Sequence, residues 1–582
     1  MASLKKPLKR ETTAKKTGKK KPSKILDPKI REERKLQRLH ITEIRSIFEK
    51  IGFLKIDNVA DKEIIFNGRK GDFDDVFIYQ NIVLLFEYTI SKRENIGDHL
   101  LKKKIIFDHV VENAEEFIDY LKDKFPTVSE KLNSYPTPEI KTFIIYCSKN
   151  EIKQSHKDQL INIKYLDFYV VKYFKVLANT IKKSARFELF KFLGLTFNDI
   201  GENISPSTGF SKDYKGSLLP HSYSNFAKGY KIVSFYIDPK TLIEKSYVLR
   251  KYGWLDDHGL YQRMIDPKKI NQIREYLNKE ERVFINNIIV TLPNETKLLD
   301  DTKNTIAFDS VTKTQPIEIK LPQDFNIIGL IDGQHRVFAY HEGGLFEEKI
   351  KRLREKQNLL VTGIIYPKNI SDLDKTKFEA KLFLEINSTQ TNAKSDLKQA
   401  IGLILKPFSI ESVSRAVLEK LNQRGPLERL FEVNYFDKGK LKTTSIVSYG
   451  LAPLLKFTGN DSISFLWNNI RKNELQNKTD DVLLNEYILF CHESIDILLK
   501  AASSNLNGRW FISTKKELNY ILNTTTINGF FVCLRKLIEH KKTGDFEYYR
   551  SKFSKLNEID FQSFKSSQYG DLGETIFQKC FS

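Results

Sequence analysis

The feature that most constrains this chain is an apolar run that stops at a tight turn and restarts as a helix. Residues 327–331 read Ile-Ile-Gly-Leu-Ile, Asp332-Gly333 follow, and Gln-His-Arg-Val-Phe-Ala-Tyr completes the stretch. The apolar run predicts a buried strand, the Asp-Gly pair predicts a turn, and the remainder predicts a helix. The first turn of such a helix presents backbone N–H groups that attract anions, and Arg336 belongs to it. The stretch therefore predicts a site for a phosphorylated ligand.

The charge of the chain favours a polyanionic partner. The formal net charge is +21, and residues 1–24 contribute +9 of it through ten Lys and Arg side chains against one Glu. A basic arm on a basic body favours polyanions, with nucleic acid as the leading candidate, although such an arm also serves as a solubilising tail or a targeting signal.

The length and the cysteine usage set further limits. A chain of 582 residues predicts two or three domains. The four cysteines are far apart and form no CxxC pair, which favours a reducing cytoplasmic setting over a disulfide framework or a structural zinc. No apolar run approaches the roughly 18 residues of a membrane span, so we expect no membrane partner.

The N-terminal part shows a helix followed by a hairpin. Leu36–Ile51 has helical periodicity, and the strands 75–79 and 82–90 are separated by a short turn at Gln80-Asn81. Glu87 and Thr89 project from one face of the second strand. Asp75 is the first residue of the first strand. Two carboxylates on adjacent strands suit Mg²⁺ and the activation of water for phosphodiester cleavage, although such residues are also common in ordinary sheets.

Residues 35–195 resemble the PD-(D/E)xK nuclease fold, as in Holliday-junction resolvases and Mrr-type restriction enzymes. Asp75 falls on the metal-binding Asp, Glu87 on the Glu of the ExK half-motif, and Glu43 on the acidic helix residue of many members. The resemblance implies that Asp75 and Glu87 hold Mg²⁺ or Mn²⁺. Thr89 departs from the pattern because it replaces the lysine.

The departure at Thr89 leaves two interpretations of the N-terminal part. A lysine is recruited from elsewhere, with Lys92 or one of Lys102–Lys104 as candidates and Lys103 as our choice among them. Otherwise the site is degenerate, and the domain binds DNA without cleaving it.

The motif at 332–336 resembles the signature of the DGQHR domain family, which includes the DNA-sulfur-modification protein DndB. Residues 261–263, Tyr-Gln-Arg, and 386–390, Ile-Asn-Ser-Thr-Gln, resemble its other two blocks. More distantly the segment is similar to the ParB/sulfiredoxin fold. Gln334 stands where sulfiredoxin has its reactive cysteine, so thiol chemistry is not implied.

This resemblance implies a binding site for a nucleoside triphosphate of unknown base, with hydrolysis as a further expectation. The implied nucleotide-binding residues are Asp332, Gly333, Gln334, His335, Arg336, Arg263, Glu385 and Asn387. Arg336 is expected to neutralise phosphate. His335 either polarises water or completes a structural hydrogen-bond network.

The expected architecture is an α/β and α+β multidomain chain. It comprises a basic disordered arm (1–34), a restriction-endonuclease-like domain (35–195), a linker rich in Gly, Ser and Pro (196–229), a ParB/sulfiredoxin-like DGQHR domain (230–410) and a helical C-terminal domain (411–582). Helical periodicity in the last part covers 414–421, 483–499, 516–522 and 530–538, with aromatic residues expected in its core.

Two functions follow from these expectations. The first is a DNA-directed, Mg²⁺-dependent endonuclease of a DNA-modification or anti-phage defence system, controlled by nucleotide and acting on plain or modified DNA. It works as a homo-oligomer or with partner proteins of that system. The alternative is a DndB-like DNA-binding regulator or assembly factor whose nuclease domain does not cut. Neither charge nor fold excludes RNA as the substrate.

Overall fold

The computed structural model describes residues 27–57, 59, 62–203, 210–250, 254, 262–390, 395–514 and 519–582. Over these residues the chain has a mixed α/β architecture with a five-stranded sheet, an eight-stranded sheet and a two-stranded ribbon. We call residues 27–203 the N-terminal region, 210–405 the central region and 408–582 the C-terminal region.

The N-terminal region is a mixed sheet with helices on both faces. Its elements are α1 (Pro28–Ile51), β1 (Leu54–Lys55), β2 (Ile64–Phe66), β3 (Arg69–Gly71), β4 (Asp75–Tyr79), β5 (Ile82–Thr89), α2 (Ile96–Glu112), α3 (Ala114–Lys124), α4 (Pro126–Leu132), β6 (Lys141–Ser148), α5 (Gln154–Lys157), β7 (Lys164–Leu166), α6 (Phe168–Thr180) and α7 (Arg186–Leu193). The strand order is β1-β4-β5-β6-β7, with β4 antiparallel to β5 and with β5, β6 and β7 parallel.

Strand β5 is the centre of this sheet, and all eight of its residues are buried. Phe86 packs in a core with Phe48 of α1, whereas Leu85 packs in a separate core with Leu100 of α2. Because neighbouring strand residues point to opposite faces, α1 covers one face of the sheet and α2 the other. The hairpin turn at Gln80-Asn81 lies where the sequence predicts it.

Helix α1 extends further toward the N-terminus than the sequence predicts. Asp27 caps it by accepting a hydrogen bond from the backbone N–H of Lys29 at 2.9 Å, and Pro28 takes the first helical position. It ends at Gly52, whose φ of 108° is left-handed, as the sequence indicates. The expected disordered arm, 1–34, is therefore helical from Pro28 onward, and residues 1–26 lie outside the described part.

The central region is built on the eight-stranded sheet. Its elements are β8 (Phe210–Leu219), α8 (His221–Ser224), β9 (Lys231–Ile237), α9 (Pro239–Lys245), β10 (Ser246–Tyr247), α10 (Pro267–Glu280), β11 (Ile288–Leu292), β12 (Lys297–Leu299), β13 (Gln315–Pro322), β14 (Ile328–Asp332), α11 (Gln334–Phe338), α12 (Glu347–Lys356), β15 (Leu359–Ile365), α13 (Asp372–Gln390) and α14 (Ser395–Leu405). The order is β10-β14-β11-β15-β9-β8-β13-β12.

The predicted strand, turn and helix at 327–340 are confirmed. Strand β14 lies between β10, to which it is parallel, and β11, to which it is antiparallel. Gly333 adopts a φ of 102° directly after it, a conformation that strongly favours glycine, and α11 starts at the next residue.

One segment that the sequence assigns to a linker is instead part of this sheet. Strand β8 falls within the expected linker, 196–229, and pairs with β9 on one side and β13 on the other. The polar segment 294–320, which sequence pattern does not mark as strand, also carries β12 and most of β13.

The C-terminal region is helical, as predicted. Its helices are α15 (Ile410–Gln423), α16 (Thr443–Ser445), α17 (Ala452–Leu454), α18 (Asp481–Asn505), α19 (Thr524–Glu539), α20 (Phe546–Lys552) and α21 (Tyr569–Phe581). The expected helix at 516–522 is wrong for its described residues, because 519–522 are not helical and Leu522 instead bridges to Ile512.

The cores do not follow the expected domain boundaries. One continuous apolar core joins residues of the N-terminal region, from Ile44 to Ile200, to residues of the central region, from Tyr214 to Ile365. The C-terminal region has a separate core, from Phe408 to Phe581. Among the described residues, no helix combines the length and apolar character needed to cross a membrane.

Candidate functional site

Glu87 lies near the end of β5 on the face that α2 covers. Only 4% of the residue is exposed. Its Oε2 lies 2.8 Å from Nζ of Lys103, a residue of α2. The same ammonium donates a hydrogen bond to Oδ1 of Asp72 at 2.8 Å. The structure thus brings the expected glutamate and the expected replacement lysine together.

Asp74, rather than Asp75, is the aspartate whose charge acts on Glu87. The β4–β5 ladder ends at the pair of Asp75 with Phe86, and Asp74 lies one residue beyond that pair. The backbone N–H of Tyr88 donates to Oδ2 of Asp74 at 2.7 Å, which holds this carboxylate at the end of the hairpin.

The expectation that Asp75 and Glu87 jointly hold a metal is therefore corrected. The Asp75 carboxylate is fully buried on the α1 face, where Arg45 of α1 binds both of its oxygens at 2.7 and 2.9 Å. The hydroxyl of Tyr88 donates to the same carboxylate at 2.7 Å. These bonds make Asp75 a fastening point between α1 and the sheet.

Glu43 also lies away from the Glu87 carboxylate. Its Oε1 contacts the ammonium groups of Lys172 and Lys175, at 3.3 and 2.5 Å. Both lysines belong to α6, so Glu43 joins α1 to α6. The expectation that it belongs to the metal site is corrected for the same reason as Asp75, since α1 lies on the other face of the sheet.

A histidine and a tyrosine complete the surroundings of Glu87. Nε2 of His99 lies 3.7 Å from Oε1 of Glu87, and its Nδ1 lies 2.8 Å from the hydroxyl of Tyr146 on β6. Thr89, which replaces the lysine of the half-motif, is buried, and its hydroxyl donates to Oγ of Ser91 at 2.9 Å. Thr89 therefore has a structural role at the end of β5.

The charges around Glu87 oppose one another. Burial, together with the nearby Asp74 carboxylate, raises the pKa of Glu87 to about 8 against the attraction of Lys103. Burial alone lowers the pKa of Lys103, but Glu87 and Asp72 outweigh it and raise that pKa above its usual value. Burial and the Lys103 and Lys102 cations lower the pKa of His99. Near pH 7 the group is a charged lysine beside a neutral histidine.

The donor set fits a divalent cation of the Mg²⁺ type. Asp74 and Glu87 supply two carboxylates, and the pKa of Glu87 is raised by burial and then by repulsion from Asp74, both of which a bound cation offsets. No described group of three or more His, Cys, Asp or Glu side chains has the geometry of a metal site. Mg²⁺ usually takes one or two carboxylates and fills its other positions with water and substrate phosphate, so two carboxylates suffice.

Two of these residues were missed in the sequence, although each has a signal there. In a hairpin with a two-residue turn, residues equally far from the turn oppose each other. Asp74 stands six positions before Gln80 and Glu87 six after Asn81, so the turn itself selects Asp74. His99 precedes Lys103 by four residues on α2, which places both on one helix face.

The loop after β14 holds the second group of expected residues. Nη2 of Arg336 lies 2.7 Å from Oδ2 of Asp332, and the two side chains are 17% and 32% exposed. The carbonyl of Gly333 accepts hydrogen bonds from the N–H groups of Arg336 and Val337 at 2.9 and 3.0 Å. The loop therefore presents a partly exposed arginine whose first partner is its own aspartate.

His335 has a structural partner. Its Nε2 accepts a hydrogen bond from the backbone N–H of Asp266 at 3.0 Å. Asp266 is in turn the N-cap of α10, with its carboxylate bonded to the N–H of Lys268. Burial, together with the cation of Lys269, lowers the pKa of His335 to about 4. A neutral imidazole therefore ties α11 to the start of α10.

The Gln262-Arg263 pair lies beside this loop. The Gln262 amide is buried and donates to the carbonyl of Leu330 in β14 at 2.6 Å. The amide of Gln334 donates to the carbonyl of Arg263 at 3.4 Å, and the Arg263 side chain is exposed. The structure thus brings Arg263 next to Gln334, whereas Tyr261, the first residue of the block, lies outside the described residues.

Glu385 and Asn387 belong to α13, which ends at Gln390. Oε1 of Glu385 lies 3.9 Å from Nζ of Lys381, and the amide of Asn387 donates to the carbonyl of Phe383 at 2.9 Å. Phe383 packs with Ile331 of β14, so the helix lies against the motif strand.

Comparison of the chain with protein-family models, with curated proteins and with solved structures gave no significant match.

Proposed function

We propose that the chain is a Mg²⁺-dependent DNA endonuclease of the PD-(D/E)xK kind, with Asp74, Glu87 and Lys103 as its catalytic residues. The observation that carries the proposal is the meeting of Glu87 and Lys103 beside Asp74. The helix, hairpin, helix and parallel-strand order of the N-terminal region also suits that fold. In this proposal Asp74 takes the role that the resemblance gave to Asp75.

The lysine and the histidine have separable tasks in the proposed reaction. A bound divalent cation supplies Lewis-acid activation of the scissile phosphate. The Lys103 ammonium neutralises charge that develops on the phosphate oxygens. The neutral His99 accepts a proton from the attacking water at Nε2 when its Nδ1 carries the hydrogen toward the oxygen of Tyr146.

We further propose that the loop from Asp332 to Arg336 binds the phosphates of a nucleoside triphosphate and controls cleavage. The pairing of Arg336 with Asp332 at 2.7 Å supports this, because a phosphate competes with the aspartate for the same guanidinium. The exposed Arg263 beside Gln334 supplies a second cation. Such a chain suits a cytoplasmic DNA-modification or anti-phage defence system.

The test is cleavage of supercoiled plasmid with Mg²⁺ or Mn²⁺, with and without each nucleoside triphosphate. Glu87→Gln, Asp74→Asn and Lys103→Met are expected to lower the rate at least about 100-fold, since each removes a metal ligand or the charge-neutralising cation. Glu43→Gln is the matched carboxamide control and keeps the rate. Undiminished cleavage in Glu87→Gln overturns the proposed mechanism.

Thr89 favours a second candidate, a DndB-like DNA-binding regulator or assembly factor. The lysine of the half-motif is missing, and the Lys103 ammonium is shared between Glu87 and Asp72. Duplex binding that is insensitive to nucleotide, with no nicking under either metal, supports this candidate. Metal-dependent nicking that Lys103→Met removes counts against it.

A further inference from the structure

The first three turns of α1 extend beyond the sheet that the rest of the helix covers. Residues 28–39 contain no buried side chain, and the first buried residue of the helix is His40. Twelve helical residues span about 18 Å. A helical segment with this exposure is not held by a core of its own, so its side chains are available to a partner.

Four cations of this segment lie on one face. The middle two cations, Arg34 and Lys35, lie three or four residues from Arg31 and from Arg38. This spacing aligns side chains along a helix. We call these four residues the basic stripe. Glu33 falls on the other side of the helix, and Glu32 borders the stripe three residues before Lys35, so the four cations keep a net positive charge on this face.

The stripe leads to the end of the sheet that carries the candidate active site. Ring nitrogen Nε2 of His40 lies 3.3 Å from the carbonyl oxygen of Cys147, and the His40 ring meets the ring of Tyr88 edge to face at 6.3 Å. Both partners are among the last residues of β6 and β5, next to Glu87 and Thr89. The turns of α1 that precede His40 therefore extend past these strand ends.

Arg45 fixes the direction in which the stripe faces. It follows Arg38 by seven residues, which places it on the same side of α1, and its guanidinium binds the Asp75 carboxylate at the start of β4. Asp74, the proposed metal ligand, is the neighbouring residue. The side of α1 that carries the basic stripe therefore also carries the cation that reaches the start of β4, one residue from Asp74.

We propose that the basic stripe binds the phosphate backbone of duplex DNA and guides the duplex to the strand ends that carry Asp74 and Glu87. This inference rests on the proposed nuclease function, for which it names the surface that binds the DNA and the duplex as the form bound. Arg31 and Arg38 are about 10 Å apart along the helix, a length over which duplex DNA carries about six charges, twice as many as a single strand. The basic sequence of residues 1–24 continues the stripe along the chain.

The experiment measures DNA affinity separately from cleavage. A full-length protein with Glu87→Gln is titrated into a fluorescent 30-base-pair duplex in EDTA at several KCl concentrations. The stripe variant combines Arg31→Gln, Arg34→Gln, Lys35→Gln and Arg38→Gln. The control variant removes four exposed cations of the central region, through Lys279→Gln, Lys351→Gln, Arg352→Gln and Lys356→Gln.

Loss of four phosphate contacts reduces the magnitude of the negative slope of log affinity against log salt by about 3.6. Between 50 and 200 mM salt the parent affinity is then expected to fall about 150-fold more than that of the stripe variant. The control variant is expected to keep the slope of the parent. An unchanged slope in the stripe variant overturns the inference, as does a slope change seen with RNA duplexes and not with DNA.

A second substrate separates this inference from the proposed reaction. The protein here carries the four stripe substitutions and keeps Glu87. It is expected to hydrolyse a small phosphodiester, thymidine 5′-(p-nitrophenyl phosphate), at the wild-type rate. Its cleavage of plasmid DNA is expected to fall more than tenfold. Loss of both activities overturns the guiding role. Absence of hydrolysis in the wild type contradicts the nuclease proposal. The slopes of log affinity against log salt still test whether the basic stripe binds duplex DNA.

Discussion

Glu87 is a buried carboxylate that stands between an ammonium and a second carboxylate. Its pKa of about 8, raised by burial and by Asp74, means that most of the molecules carry a proton on Glu87 at pH 7. A divalent cation must displace that proton in order to bind. Metal binding is therefore linked to pH in the range just below 8.

This linkage gives the first prediction. We expect Mg²⁺ or Mn²⁺ binding to release close to one proton per ion at pH 7 and about a tenth of a proton at pH 9. Isothermal titration calorimetry in buffers of different protonation enthalpy measures the number. Glu87→Gln is expected to release no proton, while Glu43→Gln, changed outside the site, behaves as the wild type. Equal release at both pH values contradicts the assignment of Glu87 as a ligand.

His335 gives a prediction about stability. Its pKa is lowered to about 4 because burial and Lys269 disfavour the charged ring, so the unfolded chain binds the proton more tightly. The stability that the neutral ring supports is present above pH 6.5 and is lost as the pH falls toward 4. His335→Gln keeps an acceptor for the Asp266 N–H but does not titrate.

The measurement is urea unfolding of the wild type and of two variants at pH 7 and at pH 4.5. His335→Gln is expected to lose less stability between the two pH values than the wild type does. His335→Ala leaves the buried N–H of Asp266 unpaired and is expected to lose about 1–3 kcal/mol at pH 7. If the wild type and His335→Gln respond equally to pH, the histidine is not buried in its neutral form.

At the residue scale the sequence named several side chains that the structure brings together, and it placed two carboxylates, Asp75 and Glu43, with Glu87 although they lie on the other face of the sheet. Asp332 and Arg336 were named from their turn, whereas Lys103 was named as a replacement for the lysine that Thr89 lacks. Asp75 was preferred over Asp74 because the resemblance aligned it, whereas counting residues outward from the two-residue turn places Asp74 level with Glu87, one residue beyond the last pair of the ladder. The bond from His335 to Asp266 joins residues 69 positions apart, and no local pattern encodes such a contact.

Helix α13 is fastened to the central sheet through one buried carboxylate, Glu379. Its Oε1 accepts hydrogen bonds from the hydroxyls of Tyr247, Thr291 and Tyr366 at 2.7, 2.6 and 2.5 Å. These donors lie on β10, on β11 and just after β15. A Cβ at Gly329 of β14 would collide with the same carboxylate, which explains a glycine inside this strand.

Glu379 therefore carries the prediction at the element scale. Glu379→Ala leaves three hydroxyls without their acceptor and is expected to cost on the order of 3 kcal/mol of unfolding free energy. The matched control is Glu385→Ala on the exposed side of the same helix, expected within about 0.5 kcal/mol of the wild type. Denaturant unfolding measures both. Similar losses in the two variants contradict the fastening role of Glu379.

The elements that the sequence missed are those whose burial comes from neighbouring strands rather than from local pattern. Strand β8 has a largely polar sequence, and Tyr214 and Leu218 are its deeply buried residues. It becomes a strand because β9 and β13 pair with it on both sides. The motif strand β14 was predictable because its own apolar run already requires burial.

At the scale of the whole molecule, two expected domains share one core. Phe190 of α7 packs against Phe325 of the central region at 5.5 Å between ring centroids. The buried Arg250 of the central region reaches the hydroxyl of Tyr173 and the carboxylate of Glu188 at 3.2 and 3.4 Å. Sequence could not show this joint, because these three pairings connect residues more than 60 positions apart.

The C-terminal region meets the N-terminal region through polar contacts, and its Phe436 packs against the shared core. Arg93 pairs with Glu428 at 2.5 Å, and the hydroxyl of Tyr169 donates to Asp437 at 3.0 Å. Such pairs contribute little stability compared with an apolar core. The molecule therefore consists of a unit formed by the N-terminal and central regions and of a helical unit with its own core.

This division predicts two unfolding transitions. Phe190→Ala, at the shared core, is expected to destabilise the joint N-terminal and central unit by about 3–5 kcal/mol, whereas Leu534→Ala, in the C-terminal core, destabilises only the helical unit, by about 2–5 kcal/mol. Trp254 packs against the shared core, while Trp467 and Trp510 belong to the C-terminal core. Variants that keep Trp254 alone report the joint unit by fluorescence, and variants that keep only Trp467 and Trp510 report the helical unit.

The shared core leaves no apolar boundary at which the N-terminal and central regions can separate. Phe190→Ala should therefore move the unfolding transition reported by Trp254, although Phe190 itself belongs to the N-terminal region. A Trp254 transition that Phe190→Ala leaves in place would mean that the central region unfolds independently of the N-terminal region.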